Sequence, residues 1–127
     1  MRLTREQRVA LDWFRDVVAA VNPRWRVTVD AEGWPVVPCR NGRIEWAGDH
    51  GRLSAFTTRM RGVFPVLARV PGVERWQTGD DEARVRFAPA PGMLKAVGAV
   101  MKPRVRRMGG PGNPEALARL RAARASP

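Results

Sequence analysis

From Ala83 to Phe87 apolar residues and arginines take strict turns, Ala-Arg-Val-Arg-Phe. A period of two belongs to a β-strand, whose successive side chains leave opposite faces. Ala83, Val85 and Phe87 therefore share one face, and Arg84 and Arg86 share the other. Such a strand fits a sheet that is buried on one side only, so something else in the chain must cover the apolar side. Arg24 to Asp30 repeats the pattern, with Trp25, Val27 and Val29 inward and Arg24, Arg26 and Thr28 outward.

The cover is legible as helices. Thr4 and Gln7 have capping-box spacing, and Ala10, Trp13, Phe14, Val17, Val18 and Val21 recur on one helical face until Asn22-Pro23, predicting a helix over about residues 5–21. Ala90-Pro91-Gly92 opens a second apolar stripe of Met93, Leu94, Val97, Val100 and Met101, with Lys95 and Lys102 pointing away and Pro103 closing it. Between them Met60, Val63, Phe64, Leu67 and Val70 have helical spacing, but Pro65 blocks a helix interior, so a short helix is expected to begin near it.

The remaining segments read as strands. Asp30-Ala-Glu-Gly33 turns the first towards Trp34–Val37, where Pro35 and Pro38 mark an edge. Arg43–Trp46 and Arg52–Phe56 flank Asp49-His50-Gly51, aligning Ile44 and Trp46 with Leu53 and Ala55. Val73–Gln77 and Glu82–Phe87 flank Thr78–Asp81. Pairing across that turn predicts Trp76 opposite Ala83 and Arg75 opposite Arg84, with Trp76 in the core and Arg75, Arg84 and Arg86 together outside. The expected fold is α+β: a small antiparallel sheet of five to six short strands, covered on one face by helices, over residues 1–107. Residues 108–127 read as a flexible linker, Gly109-Gly-Pro-Gly112, and a short basic helix capped by Asn113-Pro114-Glu115.

Charge narrows the function. Twenty-one arginines and two lysines carry the chain to a formal +11. Residues 1–90 hold 15 arginines against 11 acids, whereas residues 91–127 hold eight basic residues against the single acid Glu115. A coding bias can favour arginine over lysine, but it does not produce an excess of cations over acids. That excess points to a polyanionic partner, with nucleic acid held through its phosphates. The residues expected to contact it are Arg24, Arg26, Arg75, Arg84 and Arg86 on the sheet, Lys95, Lys102, Arg104, Arg106 and Arg107 beyond it, and Arg119, Arg121 and Arg124 in the arm. For the sheet face the competing reading is a solvated surface tempered by Asp30, Glu45, Glu74 and Glu82. Helix-turn-helix, zinc-finger and RNA-recognition patterns are all missing, so backbone contacts rather than base contacts are expected.

Groups for catalysis are few. The lone histidine, His50, lies in a polar turn, and for the lone cysteine, Cys39, there is no second cysteine or second histidine to complete a nucleophilic pair or zinc site, although neighbouring cations suggest a lowered pKa. Four tryptophans, Trp13, Trp25, Trp46 and Trp76, alternate with the core, leaving Trp34 as a stacking platform. The chain therefore reads as a non-enzymatic binding protein without a cofactor, an accessory subunit of a nucleic-acid machine. Alternatives are an adaptor whose Leu117/Leu120 helix docks on an acidic protein, and a metal-dependent nuclease built on Asp80, Asp81 and Glu82. The start Met1–Glu6 has no apolar run and one cysteine forms no internal disulfide, so a reducing cytoplasm is the expected compartment.

Overall fold

The Thr4 hydroxyl accepts from the Gln7 amide at 3.1 Å while the Gln7 side chain accepts from the Thr4 amide at 2.9 Å, closing the capping box that starts α1 (Arg5–Val21). The buried stripe of α1 is Gln7, Ala10, Leu11, Phe14 and Val18. This computed structural model describes residues 2–48 and 51–106, and the predicted arm helix lies outside them. After α1 come β1 (Thr28–Val29), β2 (Pro35–Cys39), β3 (Gly42–Trp46), β4 (Leu53–Thr57), α2 (Phe64–Leu67), β5 (Glu74–Thr78), β6 (Ala83–Phe87) and α3 (Pro91–Met101).

The strands form one antiparallel sheet of six, in the order β1-β2-β3-β4-β6-β5. Ile44 pairs with Ala55 and Trp46 with Leu53, the alignment expected of that hairpin. Ile44, Leu53, Ala55, Ala83, Val85 and Phe87 turn inward and are buried against Phe14 and Val18 of α1, Leu67 of α2 and Leu94, Val97 and Met101 of α3. Each large apolar side chain removed from water there is worth about 1.5–3 kcal/mol, and this single core holds the helices to one face. Pro65 occupies the first turn of α2, where a missing amide costs nothing. No described helix is long and apolar enough to cross a membrane.

Three expectations fail, all for reasons of pairing: the start of the first strand, the edge position of β2 and the register of the last hairpin. The first strand does not run from Arg24. Only Thr28 and Val29 pair with β2, and nearer α1 the chain bonds instead to the segment after α3. The Arg26 amide donates to the Arg104 carbonyl at 2.8 Å and the Arg106 amide to the Arg24 carbonyl at 2.7 Å. β2 is accordingly not an open edge, because the Arg104 amide donates to the Pro38 carbonyl at 2.9 Å.

The third failure is the register of β5 with β6. Thr78 lies opposite Ala83, Gln77 opposite Arg84 and Arg75 opposite Val85, with a β-bulge between Arg75 and Gln77. One inserted residue reverses the facing of what precedes it. Trp76 is thus exposed, and Arg75 turns to the helix side, its guanidinium 5.4 Å from the Phe64 ring centroid.

Gly98 sits inside α3, where glycine costs about 1 kcal/mol relative to alanine. Its reason is Trp25: a Cβ at Gly98 would lie 2.7 Å from Trp25 Cζ2 and closer still to Cη2. The bare helix surface is the seat of the indole. Gly98→Ala is therefore expected to destabilise the protein by about 1–3 kcal/mol despite its better helix propensity, read by urea unfolding, with a changed tryptophan emission as Trp25 is displaced.

Candidate nucleic-acid interface

Residues 101–106 are held from two sides. The Asn41 amide donates to the Met101 carbonyl at 3.1 Å, the Arg40 amide to the Lys102 carbonyl at 2.8 Å, and the Asn41 side-chain amide to the Val100 carbonyl at 2.8 Å. Asn41 thus satisfies carbonyls that the end of α3 leaves without helical partners. Lys102 follows as C-cap in the left-handed region, φ 59°, and so turns the chain out of the helix and across β2. The next residues then run between the Arg24–Arg26 backbone and the Pro38–Arg40 backbone.

This wedge gathers cations that the sequence keeps far apart. Arg26, Arg40, Lys102, Arg104 and Arg106, with Pro103 and Val105 between them, line one open groove. All five charged residues are exposed, as is Arg24, whose carbonyl receives the Arg106 amide. None of these six cations makes an ion pair among the described residues. Like charges brought together repel, so packing alone does not favour the arrangement.

The opposite outcome holds on the outer sheet face. Arg84 Nε lies 3.4 Å from Glu45 Oε1, its Nη1 donates to Gln77 at 3.0 Å, and Arg43 Nε reaches the same Glu45 oxygen at 3.1 Å. Both guanidiniums also lie over the Phe56 ring, at 4.5 Å for Arg43 and 4.7 Å for Arg84. Glu74 likewise bridges Arg52 at 3.0 Å and Arg86 at 3.1 Å, and Arg86 covers the Trp76 ring at 5.0 Å. Arg86 first and then Arg52 hold the Glu74 carboxyl below its ordinary value. The tempered-surface reading describes this face.

The predicted site residues therefore separate. Arg24, Arg26, Lys102, Arg104 and Arg106 come together at the β1 side of the sheet. Arg84 and Arg86 lie at the far side in ion pairs, Arg75 faces α2, and Lys95 is exposed on α3 away from the groove lining. The expectation that Arg75 lies outside with Arg84 and Arg86 is thus overturned by the bulge, and strand order sets those two at the opposite end of the sheet from the segment of Arg24 and Arg26. Arg107, Arg119, Arg121 and Arg124 fall outside the described residues. Arg40 was missed: it stands in the β2–β3 turn with no periodic pattern around it, and only the position of residues 102–106 makes it part of the groove.

Other expected groups resolve plainly. Trp34 stacks on Trp46, centroids 4.5 Å apart, so one of its faces is already taken. Asp80, Asp81 and Glu82 are exposed around the β5–β6 turn, and among the described residues no three His, Cys, Asp or Glu side chains form a metal-ligand set. No protein-family model, curated protein or solved structure matches this chain, so its own geometry carries the functional reading.

Cys39 is buried beneath the wedge and donates its thiol to the Val37 carbonyl at 3.4 Å. Burial pushes the thiol up to about 12, outweighing the Ile44 amide and the Arg104 guanidinium, which both pull it down. The lowered value suggested by neighbouring cations is overturned by desolvation. Because the folded value lies above the unfolded one, this group's contribution is intact below about pH 9 and is lost as pH rises towards 12. Unfolding measured at several alkaline pH values should show Cys39→Ala with a shallower fall in stability than the parent, by up to about 1.4 kcal/mol per pH unit. The native parent thiol should react with disulfide reagents only as fast as the protein opens.

Proposed function

We propose that this protein binds nucleic acid non-enzymatically through phosphate groups, using the groove between Arg26, Arg40, Lys102, Arg104 and Arg106. The observation that carries the reading is the collection of cations from three separate chain segments into one concavity with no carboxylate paired to any of them among the described residues. A guanidinium offers several donors in a fixed fork suited to phosphate oxygens, and the lysine adds a point charge. Among the described residues no aromatic ring lines the groove, so its contacts are with phosphates rather than bases, and binding indifferent to sequence follows. Arg107 and the arm residues Arg119, Arg121 and Arg124 extend the same charge along the chain. An accessory role in the cytoplasm, within a larger nucleic-acid machine, fits this chemistry.

Fluorescence anisotropy with mixed-sequence oligonucleotides tests the reading across a salt series from roughly 50 to 200 mM. Five phosphate contacts give log K against log salt a slope of about −3.5 to −4.5. The triple variant Arg26→Ala/Arg104→Ala/Arg106→Ala should lose about two to three of that slope, whereas Arg84→Ala and Arg86→Ala should leave it unchanged. Lys102→Gly removes one charge at a backbone position that glycine prefers, so it should weaken binding without loss of stability. Removal of residues 108–127 should lower the slope further while the groove persists. Absence of oligonucleotide binding together with capture of polyglutamate would favour the acidic-protein adaptor instead.

A further inference from the structure

Lys102 and Arg40 also line a second cleft on their other side, bounded by the loop that leads from β4 to α2. That loop supplies Arg59 and Arg61, both exposed and neither in an ion pair among the described residues. Asp80 and Asp81 of the β5–β6 turn stand on the same cleft.

The junction is built, not incidental. Thr57 is fully buried, and its hydroxyl donates to the Asn41 carbonyl at 2.7 Å and accepts from the Arg59 amide at 3.1 Å. The Arg59 carbonyl in turn receives the Val63 and Phe64 amides, at 3.1 and 3.0 Å. One hydroxyl thus fixes the Arg59 turn against Asn41, which bonds the carbonyls at the end of α3. The cations on both sides of the junction are held on a common frame before any ligand arrives, which lowers the ordering cost of binding.

Building on the phosphate-binding reading of the first groove, we propose that the footprint continues past Arg40 and Lys102 into this second cleft. Arg59 and Arg61 take the next phosphates of the same nucleic-acid strand, and Asp80 and Asp81 mark the end of the path. The ligand is then a linear polyanion spanning both concavities, rather than an isolated phosphate or a nucleotide. The carboxylates repel a strand that runs further, and so set the length the protein covers.

The test compares oligonucleotides of about 4 and about 16 nucleotides, single-stranded and duplex, on the full chain and on Arg59→Ala/Arg61→Ala. Both side chains are exposed and the loop is held through backbone atoms, so the variant should unfold like the parent. The short oligonucleotide should bind parent and variant alike. The long one should bind the variant roughly tenfold more weakly, with a salt slope smaller by about 1.4 for single strands or 1.8 for duplex. Asp80→Asn/Asp81→Asn should tighten the long oligonucleotide and leave the short one unchanged. If the parent binds the long oligonucleotide and Arg59→Ala/Arg61→Ala binds it equally well, the second cleft is not part of the path, although the first groove stands. An equal loss on both lengths also overturns the continuation. If the parent binds neither length, the phosphate-binding reading itself falls.

Discussion

The hydrogen bonds that Asn41 makes to the end of α3 are the constraint on which the rest of this surface depends. Carbonyls at a helix terminus must find donors, and when the helix ends against a sheet the choice of donor decides where the chain goes next. Here the donors come from the β2–β3 turn, so the chain leaves α3 pressed against the edge of β2. From there its backbone is committed, first to Pro38 and then to Arg24 and Arg26. Trp25, seated on the bare surface at Gly98, fastens the same region to the core from beneath. Three of the five residues that follow α3, Lys102, Arg104 and Arg106, are basic, and all three are exposed on this doubly bonded backbone.

The protein carries its positive charge in two physically different ways. On the outer sheet face Glu45 and Glu74 are each shared by two guanidiniums, and Phe56 and Trp76 lie beneath arginines. Pairs near the surface contribute little to stability, but they offset the local charge of the arginines. Around residues 102–106 neither a carboxylate nor a ring does the same office among the described residues. Electrostatic attraction for a polyanion should thus come from one side of the sheet, not from the face that the sequence pattern makes most conspicuous.

Local patterns in the chain reveal the elements and conceal their assembly. The capping residues of α1, the proline that opens α2, the apolar stripe of α3 and the pairing of Ile44 with Ala55 could all be read because each depends on neighbours within a few residues. The period of two in residues 83–87 likewise identified the buried face of β6. What could not be read was the bulge at Trp76, since an inserted residue leaves no mark on composition yet changes which side of the sheet Arg75 occupies. Nor could the placement of β6 beside β4 be read, and this sends Arg84 far from Arg24. The groove lies in the same blind area: Arg26, Arg40 and Arg104 become neighbours only through hydrogen bonds that span most of the chain.

The irregularity in β5 matters beyond the residues it reorients. This strand is the last in the sheet, with all five residues exposed, and a straight strand in that position would present an unbroken row of amides and carbonyls to any identical neighbour. The extra residue interrupts that row at its middle and adds local twist, so a second copy laid alongside would fall out of step after a few bonds. Molecules crowded along a shared polymer meet one another far more often than molecules free in solution. Under the proposed binding to such a polymer, a misfit built into the outermost strand would keep neighbours from fusing edge to edge.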